Sequence, residues 1–322
     1  DAMKLLRQWL LMVLPFALWG TAMAAMAPLV VSAGPLMVAS LRLLPAGIVL
    51  LAAVPFLGRR LAIAQGDLLW FLLFTLVDAS LFQLCLARGL TETGAGLGSV
   101  IIDSQPLMVA LLARSLFGDA INPIGWVGLV IGLLGILCLG APPELLSHWW
   151  LMGQPTSISS LWSNGEVWML SAAIAMAFGT VLIRFACKES DPVAVTGWHM
   201  SLGSIPLIIW HAFEDGWPLW PHWTSFEWGL MAYASLFGSA LAYGLFFWFA
   251  NREELTTFST LAFLTPVFAL ISGGVWLGER LDLLQWVGAF FVLFSVFLVS
   301  QRARLWAPFT NSGNDLPKGL SG

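Results

Sequence analysis

The chain has 322 residues, of which 59% are hydrophobic and only 10% are charged, and its formal net charge is −4. A soluble domain carries about 25% charged residues, so a polar coat around a single apolar core is excluded, and the mean hydropathy of +0.85 makes a membrane the expected solvent. No basic cluster points to nucleic acid as a partner.

A bilayer core is crossed by about 20 residues of helix. Ten segments meet that length or approach it: 9–31, 35–57, 68–88, 97–117, 123–140, 166–187, 193–213, 227–249, 257–277 and 283–300. The first follows Lys4 and Arg7 and contains Ala22-Met23-Ala24, features shared with a secretory signal peptide. Trp19-Gly20-Thr21, however, matches Phe178-Gly179-Thr180 in the sixth segment, and a cleavable signal would not belong to a repeat. The second segment carries Arg42, the third Asp78, Ser80 and Gln83, and the fourth Asp103, Ser104, Gln105 and Pro106. Gly94, Gly96 and Gly98 lead into the fourth, and Gly128, Gly132 and Gly135 line the fifth; small residues at such spacing let helix backbones approach closely. Trp198 and His199 lie in the seventh segment, Tyr243 in the eighth and Pro266 in the ninth. Trp149, Trp150, Trp162, Trp217, Trp220, Trp223 and Trp228 sit in or beside connecting loops, as an interfacial aromatic belt would. The end of the chain from Pro308 is rich in Asn, Ser, Gly and Pro, so the tail 301–322 is expected to be disordered and cytoplasmic.

Residues 105–118, QPLMVALLARSLFG, and 265–278, TPVFALISGGVWLG, repeat at an offset of 160 positions, and Trp126-Val127-Gly128 recurs as Trp286-Val287-Gly288. The duplication is the main constraint on the fold. Placing the N-terminus in the cytoplasm and threading ten spans puts eleven of the 14 Lys and Arg residues on the cytoplasmic side, with Arg88 and Arg280 outside and Arg42 within a span. That bias satisfies the positive-inside rule and leaves both termini inside. An odd number of spans per copy means that the second copy enters from the opposite face. The expected fold is therefore an all-α integral membrane protein of ten transmembrane helices, built as two inverted five-helix repeats, 9–140 and 166–300, joined by an outer loop at 141–165.

Inverted repeats place a substrate between the halves, near proline-interrupted spans at matching positions. Pro106 and Pro266 occupy such positions as helix breaks, although a duplicated structural kink would be equally symmetric. Ionisable residues inside a membrane are costly and mark function by default. Arg42, Asp78, Asp103 and His199 are the four candidates, and aligning Pro35 with Pro192 places Arg42 on His199. The acidic pair has no counterpart: Asp78 and Asp103 align with Gly238 and Phe263. The expected cavity thus comprises Arg42, Asp78, Gln83, Asp103, Ser104, Gln105, Trp198, His199 and Tyr243. Three roles compete for its charges: a structural ion pair between Arg42 and an aspartate, recognition of the two poles of a zwitterionic substrate, and proton coupling through Asp78 or Asp103.

Three cysteines placed singly in apolar spans and four scattered histidines form no metal or disulfide pattern. No cofactor and no metal are expected, and no enzyme motif occurs. A small-molecule substrate and membrane lipid are the expected partners, and the sequence leaves a homodimer open.

Leu-Trp-Gly-Thr at 18–21, Gly-Leu-Gly-Ser at 96–99 and Leu-Gly-Glu-Arg at 277–280 resemble EamA-type permeases of the drug/metabolite transporter superfamily. The run from Gly94 to Pro106, Asp191-Pro192 with Thr196-Gly197-Trp198-His199-Met200, and Phe237-Gly238-Ser239-Ala240 are similar to a branch found in cyanobacteria and the chloroplast envelope. The resemblance covers residues 10–300 and implies a ten-helix secondary transporter with a central cavity, moving small polar or amphipathic metabolites, amino-acid-like compounds foremost, by alternating access and in the outward direction. A bacterial plasma membrane is the expected location. A phosphorylated-metabolite exchanger is a rival, although it would want several cationic side chains to bind phosphate. A non-transporting receptor or scaffold is another, but it has no need of intramembrane charges.

Overall fold

The computed structural model describes residues 2–92, 101–140, 165–216, 220–277 and 283–311, and among them every regular element is helical. In lipid each backbone N–H and C=O must be satisfied within its own segment, which a helix achieves and an open strand does not. The chain runs through α1 (Ala2–Ala33), α2 (Pro35–Phe56), α3 (Leu68–Phe74), α4 (Phe82–Glu92), α5 (Gln105–Phe117), α6 (Pro123–Gly140) and α7 (Gly165–Ala186). It continues through α8 (Pro192–Asp215), α9 (Ser225–Ser235), α10 (Ala242–Ala250), α11 (Leu255–Thr260), α12 (Thr265–Leu277), α13 (Leu283–Ser300) and α14 (Arg302–Asn311).

Helix ends follow local chemistry. Gly34 at φ 82° turns the chain between α1 and α2, and Pro35 opens α2 where its missing N–H costs nothing. Gly118 at φ 67° caps α5 in the left-handed conformation. Asp191 caps α8 by accepting from the backbone N–H groups of Val193 and Ala194, and Thr224 with Glu227 forms a capping box at α9.

Eight helical stretches among the described residues are long and apolar enough to cross a membrane, and Pro123–Leu139 is a shorter apolar helix. They correspond to nine of the ten expected spans. The remaining one, 97–117, is described only from residue 101; Gly94, Gly96 and Gly98 lie outside the described residues, as do Trp149, Trp150, Trp162 and Trp217. The protein is an integral, multi-pass membrane protein.

Two rods are interrupted in the same way. A π-helical segment, Thr75–Leu81, joins α3 to α4, and another, Leu236–Leu241, joins α9 to α10. The repeat offset superposes one on the other. Both prolines sit just inside a helix start: Ser104 makes a turn before α5, and a 3-10 segment, Leu261–Leu264, precedes α12.

Packing repeats too. α1 lies against α9, α10 and α12, while α7 lies against α3, α4 and α5; α2 packs on α8, and α6 packs on α13. The last pairing is the close approach that the glycines of the fifth segment foreshadow. A Cβ at Gly128 would meet Val299, one at Gly132 would meet Phe263 and Ser295, and one at Gly135 would meet Val292.

The tail departs from expectation at its start. Arg302–Asn311 is helical because Arg302 is tied back to the bundle: its carbonyl accepts from Asn122 at 2.7 Å, and its guanidinium reaches Thr257 and Glu254. Residues 312–322 lie outside the described part of the chain.

Candidate functional site

A cavity of about 130 Å³ lies between the two halves, with room for several water molecules. Its walls come from α1 (Trp19, Met23, Met26), α2 (Val38, Arg42), α4 (Gln83, Leu86), the turn before α5 (Ile102, Asp103), α7 (Met169, Met176), α10 (Tyr243) and the start of α12 (Thr265). Val30 and Pro35 line it at one end, beside the turn from α1 to α2. Below Trp19 and Tyr243 the rings of Phe16, Phe246, Phe247 and Phe258 pack edge to face or tilted and close the opposite side.

Four of the nine expected side chains meet here: Arg42, Gln83, Asp103 and Tyr243. Arg42 is 8% exposed and Asp103 is 5% exposed. The Arg42 guanidinium donates to the Tyr243 hydroxyl at 3.5 Å, contacts the Met26 sulfur at 3.9 Å, and lies 5.9 Å from the Tyr243 ring centroid. Its Nε–H has no hydrogen-bond partner among the described residues. Among the described residues the ion pair that Asp78 makes is with His199, and Arg42 lies within 4 Å of neither Asp78 nor Asp103. A basic and an acidic side chain therefore face one apolar chamber, neither with an oppositely charged partner among the described residues.

Asp78 and His199 are placed elsewhere. They hydrogen-bond each other, Oδ2 to Nε2 at 2.8 Å, with both side chains 1% exposed. Phe74 stacks on the imidazole at 4.3 Å between centroids, and Phe247 meets it edge-on at 5.4 Å. The remaining three candidates do not line the chamber. Ser104 donates to the Ile101 carbonyl at 2.6 Å, Gln105 is buried with an Oε1 that has no partner among the described residues, and Trp198 donates to the Leu61 carbonyl at 2.9 Å in the loop between α2 and α3.

The chamber adds residues that composition hides. Trp19 lines it with an indole N–H that has no partner among the described residues. Met23, Met26, Met169 and Met176 give it a flexible, polarisable wall. The tryptophan falls inside the Trp-Gly-Thr match, which was the available signal. The methionines carry none, because a methionine on an apolar span reads as lipid-facing or core.

Ile102 and Asp103 lie just before Pro106, and Thr265 just before Pro266, so the interrupted ends of α5 and α12 both reach the chamber. A proline removes a backbone donor and leaves carbonyls of the preceding turn without their helical partner. Among the described residues no group of three or more metal-ligating side chains forms.

The EamA-like transporter family model matches residues 7–141 and again residues 163–301. The uncharacterized transporter sll0355 of Synechocystis sp. is 47% identical over 306 residues, covering 93% of this chain and 92% of that one. The WAT1-related protein At3g02690, chloroplastic, of Arabidopsis thaliana is 44% identical over 305 residues, covering 91% of this chain and 69% of that one. One solved crystal structure shares the fold at a TM-score of 0.76 and 16% identity, covering 92% of this chain and 97% of that one. With a family model that spans both halves of the sequence and relatives from a cyanobacterium and a chloroplast, this chain belongs to the EamA-like transporter family, within the cyanobacterial and chloroplast branch of the drug/metabolite transporter superfamily.

Proposed function

We propose that the chain is a secondary carrier of small zwitterionic metabolites, amino-acid-like compounds above all, exported by alternating access. One observation carries this reading: a basic side chain, Arg42, and an acidic one, Asp103, line the same apolar chamber and are not paired with each other. A bound α-amino acid would supply the missing partner of each, its carboxylate to the Arg42 guanidinium and the Trp19 indole N–H, its ammonium to Asp103. The charge-assisted hydrogen bonds so formed are the strong ones. The methionine wall suits a range of apolar side chains.

Alternating access rests on the two halves 9–140 and 166–300 acting as inverted five-helix repeats. Its supports are the two family matches in tandem, the equivalent packing of α1 and α7, and the two π-helical segments at one repeat position. The positive-inside bias supports cytoplasmic termini in a bacterial plasma membrane. Export follows from the family resemblance. A phosphorylated cargo fits less well, since among the described residues Arg42 is the one Lys or Arg lining the chamber.

The test is counterflow in proteoliposomes loaded with a panel of amino acids, nucleobases and organic cations. Amino acids are expected to exchange, and Arg42→Gln and Asp103→Asn are each expected to lower exchange at least about 100-fold, as loss of a buried charged contact does. Exchange of amino acids that survives both substitutions would remove this site from the mechanism.

A further inference from the structure

The Asp78–His199 contact fixes a proton count. His199 Nδ1 lies 2.9 Å from the Thr196 carbonyl, and a carbonyl only accepts, so Nδ1 carries a hydrogen. The other ring nitrogen then meets Asp78 Oδ2 at 2.8 Å, a contact that needs a second hydrogen between the two atoms. The pair therefore holds two protons and no net charge, whether written as a carboxylic acid beside a neutral imidazole or as a carboxylate beside an imidazolium.

Remove the bridging proton and the contact fails. Oδ2 and Nε2 would present lone pairs to each other, with both side chains 1% exposed and thus cut off from water. Nothing else rescues the carboxylate, because Oδ1 has no hydrogen-bond partner among the described residues and lies against the bare backbone of Gly179. An unpaired buried charge of that kind is among the costliest arrangements a protein can hold.

The position of the pair gives that proton a mechanical consequence. Asp78 sits in the π-helical segment joining α3 to α4, in the first half, and His199 sits on α8, in the second. Ser80 adds a hydrogen bond to the Gly203 carbonyl at 2.9 Å across the same contact. π-Helical insertions recur at functional sites, and the equivalent segment in the second half has Gly238 where this one has Asp78. The groups facing the pair are few. α7 contributes Gly179, α3 contributes Phe74, and α10 contributes Phe247 and Tyr243, whose hydroxyl accepts from Arg42. Tyr243 is a titratable side chain that feels the Asp78 carboxyl, and Arg42 lies behind it.

We propose that Asp78 and His199 form a proton-binding clasp between the two halves, closed when the bridging proton is bound and released when it leaves. The site is separate from the chamber that holds the cargo and communicates with it through Phe247 and Tyr243, whose rings stack at 6.0 Å. On the carrier reading given above, one proton enters or leaves this clasp per conformational cycle, and a proton gradient drives the cargo.

The clasp is tested without any cargo by amide hydrogen exchange of residues 75–81 in the full chain in lipid nanodiscs, from about pH 5 to about pH 9. Asp78→Asn is the reference, because its amide N–H donates to Nε2 at every pH; the wild-type to variant ratio at each pH cancels the intrinsic rate. The ratio is expected to rise by about tenfold per pH unit over the window in which opening loses one proton. His199→Gln, whose amide donates to the carboxylate, is a second reference should the first fail to fold. A ratio that stays flat against both overturns the clasp. A parallel counterflow assay with the amino-acid panel separates the two readings. Exchange in wild type with a flat ratio would leave the carrier and remove the clasp; a rising ratio with no exchange would leave the clasp and remove the carrier. If both hold, Asp78→Asn, whose clasp stays closed at every pH, is expected to lose both exchange and accumulation of amino acids against a pH gradient, and accumulation that persists would overturn the coupling.

Discussion

Among the described residues Arg42 keeps a buried Nε–H without a partner, and its guanidinium contacts a phenol and a thioether. Leaving a buried polar group unsatisfied costs about 1–3 kcal/mol, a cost expected where binding strength is held in reserve for a ligand. Arg42→Met is therefore expected to melt no lower than wild type while exchange is lost. A marked drop in melting temperature would mean that the guanidinium is structural. Gly179 gives the reverse case. A Cβ there would collide with the Asp78 carboxylate, so Gly179→Ala is expected to destabilise by about 1–3 kcal/mol through overpacking. Gly229→Ala, on a helix face with nothing within 4 Å, is expected to be neutral or to gain up to about 1 kcal/mol. Denaturation in a fixed detergent reads both. The sequence marks Arg42, Asp78, Asp103 and His199 as the residues to explain, since each is a charge where charges are expensive. It does not say which faces which: whether Asp78 or Asp103 shares the chamber with Arg42 depends on helix rotation, and spans that are apolar all round encode rotation weakly.

At the level of elements the duplication is legible to a residue, whereas its structural consequence is not. The offset that pairs Pro106 with Pro266 also pairs the two π-helical segments, yet neither LVDASL nor LFGSAL has a feature that sets it apart from α-helix. A π-turn arises from one extra residue accommodated between packed neighbours, and those neighbours, α7 and α8 on one side and α1 and α2 on the other, are distant in sequence. The prolines are the readable part. Both helix starts reach the chamber, so Pro106→Ala and Pro266→Ala together are expected to slow exchange at least about tenfold while leaving helix content, read by far-ultraviolet circular dichroism, unchanged. Full exchange in the double variant would reduce the two breaks to duplicated kinks. The tail illustrates the opposite failure. Its composition reads as disorder, but Arg302 ties its start to the bundle, through its carbonyl to Asn122 and its guanidinium to Thr257 and Glu254, contacts that no local pattern announces.

Seen as a whole, the molecule is closed at one end by charge. The chamber extends to Val30 and Pro35, while the far end carries Arg302 beside Asp119 and Glu254, with Thr256 donating to Asp119 at 2.7 Å and Arg184 donating to the Ala250 and Glu253 carbonyls. Asp119 belongs to the first half, Glu254, Thr256 and Arg184 to the second, and Arg302 to the helix that follows it, so opening this end means pulling the cluster apart. Burial holds the Glu254 carboxyl above its ordinary 4.5, against the opposing pull of its hydrogen bond from Arg302. The sign follows directly. A carboxyl that binds its proton more tightly in the closed arrangement stabilises that arrangement below the ordinary value, and the stabilisation is lost as pH rises through the higher, closed-state value. Opening of this end should therefore increase with pH above about 4.5 until Glu254 is ionised in both arrangements. Spin labels at Ser115 in the first half and Arg304 in the helix after the second, both exposed, report the separation by pulsed dipolar spectroscopy. The long-distance population is expected to grow with pH in wild type. Glu254→Gln, neutral throughout, should hold it constant, and Arg302→Gln should enlarge it at every pH by removing the cation that the two carboxylates share. A pH response that persists in Glu254→Gln would assign the control of this end to another group.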